Sequence, residues 1–330
     1  MKNSKISWTD HTFNPWVGCE KVSPACKNCY AMELVNRFGG DFLGRRVVKA
    51  EAGWREPLKW NREAEAGGVR KKVFCASLAD VFEGCSDSML NHEGRRIGIC
   101  LDCGSWEPTW VFCSKCGSTE QEDLTMEDVR YRLFRLIDST PNLDWLLLTK
   151  RPENILKMWS YRVSDYGQDD NPVVMELLKN PDRTKALKYR PNVWLGTTVE
   201  NQDESDKRIP ELMKCRDLSP VLFLSCEPLL EPIELKLRSR VSHFPRHNGP
   251  SGAVFDREHL PFHWVIVGGE SGPDYRYMSP HWVQSLHDQC KSAGIPFFCK
   301  QGSGPKSGQQ YDLPDHLFSV KEFPCLTLGC

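Results

Sequence analysis

The stretch Trp145-Leu146-Leu147-Leu148-Thr149-Lys150 is an unbroken apolar run that ends abruptly in a polar and a charged residue. Further runs of the chain follow the same pattern. They are residues 73–77, 193–198, 221–225, 264–269 and 296–300. Because continuous apolar runs without alternation fit strands that are buried on both faces, these runs predict a parallel sheet.

Helical patterns lie between these runs. Thr125 followed by an acidic turn is typical of a helix start, and Val129, Leu133 and Leu136 would then share one face. Residues 280–290 form a second candidate helix. Strands that alternate with helices indicate βαβ units, and therefore an α/β fold. In such folds ligands collect at the carboxyl ends of the strands, so the polar strand endings are the predicted wall of a site.

The composition is that of an ordinary soluble globular protein. The 330 residues are 40% hydrophobic and 26% charged, with a formal net charge of −1. This balance gives no overall field that would attract nucleic acid. No apolar stretch has the length of a signal core or a membrane span. Fifteen cysteines, many in C-x2-C spacing, favour metal ligation in a reducing compartment, so we expect a cytoplasmic protein.

Three cysteines near the N-terminus, Cys19, Cys26 and Cys29, have the spacing C-x6-C-x2-C. A structural zinc site needs four protein ligands and a disulfide uses two, so three thiolates fit neither pattern. Three thiolates can hold a 4Fe–4S cluster and leave one iron open to another ligand. An open iron predicts a reaction site. The alternative is a zinc ion whose coordination is completed by His11 or another side chain.

A second cysteine group has the spacing of a zinc ribbon. It consists of Cys100, Cys103, Cys113 and Cys116, in two C-x2-C pairs separated by nine residues. Four thiolates complete a tetrahedral zinc site and leave no open position, which predicts a structural role. The segment lies between the second predicted strand and the following helix, as an insertion. We expect it either to stabilise the fold or to present a surface to a nucleic acid or protein partner.

Several motifs occur in order along the chain and together resemble one family. They are residues 8–10 (Trp-Thr-Asp), 13–19 (Phe-Asn-Pro-Trp-x-Gly-Cys), 21–31 (Lys-Val-Ser-Pro-x-Cys-x-Asn-Cys-Tyr-Ala), 148–152 (Leu-Thr-Lys-Arg-Pro), 193–201 (Val-Trp-Leu-Gly-Thr-Thr-Val-Glu-Asn), 225–230 (Ser-Cys-Glu-Pro-Leu-Leu), 264–272 (Trp-Val-Ile-Val-Gly-Gly-Glu-Ser-Gly) and 298–301 (Phe-Cys-Lys-Gln). From about residue 6 to about residue 325 the chain resembles the phage gene-product thirty-seven/sixty-eight family, an uncharacterised, radical-SAM-like group.

The resemblance implies a partial (β/α) barrel of about six parallel strands, with a 4Fe–4S cluster on the first βα loop. It implies S-adenosylmethionine (SAM) as the ligand of the open iron, cleaved reductively to a 5′-deoxyadenosyl radical, and an electron donor such as a flavodoxin or ferredoxin. The chain departs from the common radical-SAM pattern in two places. The first cysteine gap is six residues instead of three, and Asn28 stands where an aromatic residue usually precedes the last cysteine.

On this reading the chain divides into three parts. A discontinuous barrel would take residues 1–94 and 121–304, the zinc-ribbon insertion residues 95–120, and a tail packed on the barrel residues 305–330. Cofactor contacts are expected among the strand endings. They are Ser77, Asp80, Lys150, Arg151, Thr198, Glu200, Ser225, Glu227, Gly268, Gly269 and Glu270.

These residues carry different expected roles. Ser77 and Asp80 would meet the SAM amino group, and Lys150 and Arg151 its carboxylate or a substrate phosphate. The hydroxyls and carboxylates at 198, 200, 225 and 227 suit a ribose diol. The glycines at 268 and 269 would let a ligand approach, beside Glu270. For each polar residue the alternative is a helix cap or a surface charge.

Two other functions compete with the radical-SAM interpretation. The first is a non-catalytic module in which both cysteine groups hold zinc and the ribbon engages nucleic acid or a protein. The second is a hydrolase with a three-cysteine zinc and an open water position. The chain carries no obvious general-base motif beside the three cysteines, which disfavours the hydrolase. The phage association suggests a nucleic acid or nucleotide substrate for the radical-SAM enzyme.

Overall fold

The computed structural model describes residues 1–44, 46–85, 87–108, 112–159, 189–237 and 260–325. The strands are β1 (His11–Phe13), β2 (Trp16–Val17), β3 (Val47–Val48), β4 (Lys71–Cys75), β5 (Ile97–Cys100), β6 (Trp106–Pro108), β7 (Gln121–Asp123), β8 (Leu143–Thr149), β9 (Val193–Thr198), β10 (Val221–Cys226), β11 (Trp264–Gly268) and β12 (Phe297–Gln301). The α-helices are α1 (Tyr30–Arg37), α2 (Glu51–Trp54), α3 (Glu56–Gly67), α4 (Met126–Asp138), α5 (Ile155–Met158), α6 (Gln202–Met213), α7 (Pro280–Ala293) and α8 (Asp315–Phe318).

The main sheet contains seven parallel strands in the order β1-β4-β8-β9-β10-β11-β12. The order follows the chain, so each new strand joins the same growing edge and the sheet curls into a half-barrel. The six apolar runs form six of these strands, as the sequence predicts. The seventh, β1, is three residues long and includes His11 and Thr12, so it lacks the apolar run by which the others are recognised.

Side chains alternate between the two faces of the sheet, and each face is buried. Leu147 and Leu195 face a core that also contains helix residues such as Leu133. Leu146 and Trp194 face a second cluster, which contains no described helix residue. At its centre lies Trp264, fully buried, whose ring packs against aromatic rings from several elements. These are Trp8, Trp194, Phe223, Phe298 and Phe323.

The two helices predicted from the sequence, α4 and α7, begin where it predicts. Thr125 caps α4 with its hydroxyl, which accepts the N–H of Asp128, while the Asp128 carboxylate accepts the N–H of Thr125. The helix then buries Val129 and Leu133 against the sheet. Ser279 caps α7, and Gly294 ends it in the left-handed conformation. Among the described residues, no helix combines the length and apolar character that a membrane crossing requires.

A small antiparallel sheet of order β6-β5-β7 interrupts the barrel between β4 and α4. It extends to Asp123, three residues beyond the predicted end of the insertion. Trp106 of this sheet meets Trp54 edge-on at 5.8 Å, and the Arg132 guanidinium lies over both rings. The small sheet is therefore attached to α2 and α4 by buried aromatic surface.

The chain after β12 turns back onto the sheet. Leu313 and Leu317 are buried, and the ring of Phe323 packs against Trp264 and Phe298. Trp264 also donates its indole N–H to the carbonyl of Glu322. The described part of the tail thus closes the aromatic cluster at the amino ends of β11 and β12.

Candidate functional site

Residues 18–30, which contain the three N-terminal cysteines, are here called the cysteine segment. The segment leaves β2 at Gly18, whose φ of +114° is a conformation that glycine adopts readily. Two backbone hydrogen bonds fix this entry. Gly18 donates to the carbonyl of Leu78 at 3.0 Å, and Cys19 donates to that of Phe42 at 3.1 Å. The segment therefore starts beside the loop that follows β4.

The other two cysteines lie on either side of a tight turn. Cys26 ends a short 3-10 turn, Pro24–Cys26, and is buried. Cys29 immediately precedes α1, with an extended backbone and no side-chain cap. Cys26 and Cys29 are therefore held at the start of α1, on either side of the turn.

Arg151, just after β8, reaches the Cys19 end of the segment. Its Nη1 donates to Cys19 Sγ at 3.6 Å and to Asp80 Oδ2 at 3.0 Å, and its Nη2 donates to the Glu20 carbonyl at 3.1 Å. Asp80 also accepts the Thr149 hydroxyl at 2.7 Å and the Lys150 N–H at 3.1 Å. Asp80 and Arg151 thus bind protein groups on several sides, and they anchor the segment.

Glu83 and Arg46 complete this anchor, and neither was expected from the sequence. Glu83 is fully buried and accepts two hydrogen bonds from the Arg46 guanidinium, at 2.6 and 3.0 Å. It also accepts the backbone N–H of Glu20 at 2.7 Å. Glu83 could have been identified from the sequence, because it follows a buried strand together with a second carboxylate, Asp80. Arg46 carries no comparable signal.

Burial raises the pKa of the Cys19 thiol to about 12, and the negative charges of Asp80 and Glu83 act in the same direction. The guanidinium of Arg151 opposes this shift but does not cancel it. A metal or cluster that binds the thiolate of Cys19 must therefore displace a tightly held proton.

Glu200, after β9, anchors the middle of the segment. One carboxylate oxygen accepts the backbone N–H of Ala25 at 3.3 Å, and the other accepts Nη1 of Arg208 at 2.8 Å. Glu200 and Arg208 are both almost completely buried. An ion pair with so little solvent has a fixed geometry, because either charge alone would be costly to bury.

Glu270, after β11, anchors the Cys29 end. It accepts the side-chain amide of Asn28 at 2.9 Å and Nε of Arg276 at 2.9 Å. Arg276 in turn donates to the carbonyl of Pro24 at 3.0 Å. Burial alone would raise the pKa of Glu270, but the hydrogen bonds from Arg276 and Asn28 outweigh burial and lower it. Glu270 is therefore held as a carboxylate.

The two glycines before Glu270 make room for protein groups. A Cβ on Gly269 would lie 2.3 Å from the backbone nitrogen of Ser303, so only glycine fits there. Gly268 lies beneath an ion pair between Glu227, after β10, and Lys300 of β12. A Cβ on Gly268 would approach the Glu227 side chain to 3.3 Å. In this structure these glycines serve packing between neighbouring strand ends.

The remaining predicted contacts lie at the same edge of the sheet. Ser77 exchanges hydrogen bonds with Asn14, and its carbonyl accepts the Tyr30 hydroxyl at 2.7 Å. Thr198 and Ser225 are buried, and no described residue bonds to their hydroxyls. The Lys150 ammonium likewise has no ion-pair partner within the described parts of the chain. These three side chains, with the Glu227–Lys300 pair, are the strand-end groups that do not bind the cysteine segment.

The second cysteine group forms a compact cluster that could hold a metal ion. All four sulfurs of Cys100, Cys103, Cys113 and Cys116 lie within 4.8 Å of one another. The Cys100–Cys116 and Cys103–Cys113 pairs are each 3.6 Å apart. A tetrahedral zinc ion with Zn–S bonds of 2.3 Å separates its sulfurs by about 3.8 Å. The four sulfurs therefore have nearly the spacing that zinc requires.

Two equivalent turns build this cluster. Gly104 and Gly117 follow the second cysteine of each pair with φ of +66° and +78°, and each donates its N–H to the carbonyl of the first cysteine at 2.8 Å. The repeated sequence Cys-x-x-Cys-Gly-Ser explains the repeated geometry. Among the described residues, this is the only group of at least three metal-ligating side chains whose ligand atoms lie so close together.

His11 lies outside both cysteine groups. Its ring stacks on Trp60 at 4.5 Å, and its Nδ1 accepts the backbone N–H of Asn3 at 3.3 Å. His11 is also nearly buried in β1. These contacts give the histidine a packing role, so His11 is not the fourth ligand of the cysteine segment in this structure.

Comparison with known proteins gives one match. A family model described as "Protein of unknown function (DUF5131)" matches residues 3–97 and 100–312. Searches of curated proteins and of solved structures each returned no match. The matched residues include the cysteine segment, its three anchors and both halves of the four-cysteine cluster. The chain therefore belongs to the DUF5131 family of proteins of unknown function.

Proposed function

We propose that the chain is a radical-SAM-like enzyme, with a 4Fe–4S cluster on Cys19, Cys26 and Cys29 and SAM at the open iron. One observation carries the proposal. The cysteine segment is fixed over the carboxyl ends of a curled parallel sheet by three buried anchors, at Arg151, Glu200 and Glu270. Ligand sites of parallel α/β folds occur at this edge.

The three N-terminal sulfurs are spaced differently from the four sulfurs of the ribbon. The three sulfurs of the cysteine segment do not form a group within 4.8 Å, whereas the four sulfurs of the ribbon do. A cubane holds each thiolate on a different iron and therefore spaces them more widely than one zinc ion does. With His11 engaged elsewhere, the proposal leaves the open iron of the cluster to a cosubstrate.

The anchors account for what the protein would contribute. When bound, the cluster would supply a single electron for the reductive cleavage of SAM. Arg151, Glu200 and Glu270 are almost entirely buried, and their hydrogen bonds would hold in place the segment that carries the cluster ligands. Lys150 would hold the SAM carboxylate, and the hydroxyls of Thr198 and Ser225 would face its ribose.

We also propose that the four-cysteine cluster holds zinc with a structural role. Its closed set of four sulfurs leaves no open position, and its sheet packs on α2 and α4 through Trp106. The inserted segment is too small to form an apolar core of its own, so metal binding would supply its folding free energy.

Metal analysis of anaerobically purified protein tests both proposals. We expect about four irons and four sulfides per chain, with one zinc, and a visible band that dithionite bleaches. Added SAM should yield 5′-deoxyadenosine under reducing conditions. Cys26→Ser should lose iron and keep zinc. Cys215→Ser is the matched control, because its buried thiol donates to the carbonyl of Glu211 at 3.6 Å and a hydroxyl can do the same.

Two results would overturn the enzymatic proposal. Colourless protein with two zincs per chain would indicate the non-catalytic zinc module. Reconstituted protein that holds iron but neither binds nor cleaves SAM would show that the cluster serves another purpose.

A further inference from the structure

The Cys19 anchor contains more positive than negative buried charge. Its members are Arg46, Arg130, Arg151, Asp80 and Glu83, and each is at most 7% exposed. Three guanidiniums thus face two carboxylates. The carboxylates nearest to them outside this group, Glu20 and Glu127, are exposed and screened by solvent.

The hydrogen bonds locate the surplus charge. Arg46 pairs with Glu83, and Arg151 pairs with Asp80 at 3.0 Å and lies 3.5 Å from Glu83. Within the described part of the chain, Arg130 donates to two backbone carbonyls, those of Val81 and Glu83, at 2.8 and 2.9 Å. Among these described residues the buried guanidiniums therefore outnumber the buried carboxylates by one, and buried charges are normally compensated.

Within this group of charges, the sulfur of Cys19 accepts a hydrogen bond from Arg151. Arg151 Nη1 bridges Asp80 and Cys19 Sγ, so the guanidinium presents one N–H to the sulfur while its other contacts fix its position. A metal-bound Cys19 is anionic and would supply the missing negative charge. Neither Cys26 nor Cys29 has a guanidinium partner among the described contacts.

We infer that Arg151 is a positioning residue that holds the ligand sulfur of Cys19 and raises the reduction potential of the cluster. The inference rests on the proposed function, since it requires a cluster on the three cysteines. A reduced cluster carries one more negative charge than an oxidised one. A hydrogen bond to a ligand sulfur and a nearby positive charge both stabilise that reduced state.

Two variants test the inference. Arg151→Lys keeps the charge but loses the planar fork that reaches Asp80 and Cys19 together. The double variant Asp80→Asn with Arg151→Gln removes both charges and leaves neither one unpaired. Arg190→Lys is the matched control, because Arg190 is equally buried and pairs with Asp138 at 2.9 Å, without a contact to any cysteine.

The readouts are iron content, zinc content, far-UV circular dichroism and the midpoint potential from a redox titration followed by electron paramagnetic resonance. Far-UV circular dichroism reports that the variant has folded, and zinc content reports that the ribbon is intact. We expect folded variants at position 151 to show a more negative midpoint potential than wild type or a partial loss of iron at full zinc content. Arg190→Lys should keep wild-type iron and potential.

Different outcomes would overturn the role of Arg151 and the proposed radical-SAM-like function. If both variants at position 151 keep wild-type iron and potential, Arg151 has no such role and the proposed function stands. If both lose their fold while Arg190→Lys keeps it, Arg151 is structural and the inference is wrong. If wild-type protein binds no reducible cluster, the proposed function fails, and the inference fails with it.

Discussion

The carboxylate of Glu200 accepts the backbone N–H of Ala25 at 3.3 Å, across 175 positions of the chain. This contact joins the end of a central strand to the middle of a loop that holds three cysteines. Arg151 and Glu270 make equivalent long-range contacts at either end of the loop. The cysteine geometry is therefore a property of the whole sheet, and damage to a distant strand end should reach the metal site.

Glu200→Gln should destabilise the protein by about 3 kcal/mol, because it leaves the buried Arg208 without its closest carboxylate. Glu204 remains within ion-pair distance, which places the loss at the low end for a broken buried pair. Urea denaturation measures the change, and iron content should fall with it. In the control Glu211→Gln, which breaks an exposed pair with Lys214, the change should stay below about 1 kcal/mol. Equal effects in the two variants would contradict the role of burial.

Gly269→Ala should cost about 2 kcal/mol or more, because the new Cβ would meet the backbone of Ser303 at 2.3 Å. Gly67→Ala provides the comparison. Gly67 is the last residue of α3, and a Cβ there meets nothing within 4 Å, so alanine should be neutral or slightly stabilising. Thermal unfolding of both variants checks the contrast. A Gly269→Ala variant as stable as wild type would show that the 302–303 backbone can move aside.

Removal of zinc should unfold the ribbon and leave the cysteine segment intact. Because the metal is expected to supply on the order of 10 kcal/mol to this segment, a chelator should abolish its tertiary structure. The packing of Trp106 against Trp54 would be lost, which near-UV circular dichroism detects. Cys103→Ser should have the same effect without a chelator, and its iron content should equal that of wild type. Loss of iron together with zinc would mean that the two sites are coupled.

Acid should weaken the Glu270 anchor. The pKa of Glu270 in the folded protein lies below its ordinary value of 4.5, so the carboxylate contributes stability above that pH. This contribution is lost as the pH falls below 4.5 through the folded pKa. Glu270→Gln should therefore be less stable than wild type at neutral pH, and the difference should shrink in acid. Glu63→Gln, an exposed partner of Lys2, should show little difference at any pH. A constant gap for Glu270→Gln would contradict the prediction.

Much of the fold could be predicted from the sequence because each central strand is an unbroken apolar run. The residues of β8 and β10 are buried on both faces, and no polar alternation hides them. β1 could not be identified by an apolar run, because its three residues are buried by contacts with β4 and with Trp60. This seventh strand is identified by its pairing with β4 in the structure.

The residues of the candidate site could likewise be predicted only in part. Asp80, Arg151, Glu200 and Glu270 could be found because each follows a predicted strand, but their partners could not. Those partners come from other parts of the chain, such as Arg46 and Arg276, where sequence spacing gives no signal. Contacts expected for a cofactor are therefore made, in this structure, with the cysteine segment.

One departure from the expected motif has a physical explanation. Asn28 stands where an aromatic residue usually precedes the last cysteine, and its amide donates to Glu270 at 2.9 Å and to the carbonyl of Asp274 at 2.6 Å. An aromatic ring at this position would provide neither hydrogen bond. The longer first cysteine gap likewise contains Glu20 and Ala25, which supply the backbone groups for two anchors.

The aromatic rings around Trp264 fill the half-barrel near the amino ends of its strands. Trp194 and Trp264 lie near the amino ends of their strands, and Phe323 from the tail covers them. Among the described residues, these rings fill the end of the half-barrel that lies opposite the edge with the cysteines. Aromatic packing thus closes one end of the half-barrel, and buried charges hold the cysteine segment at the other.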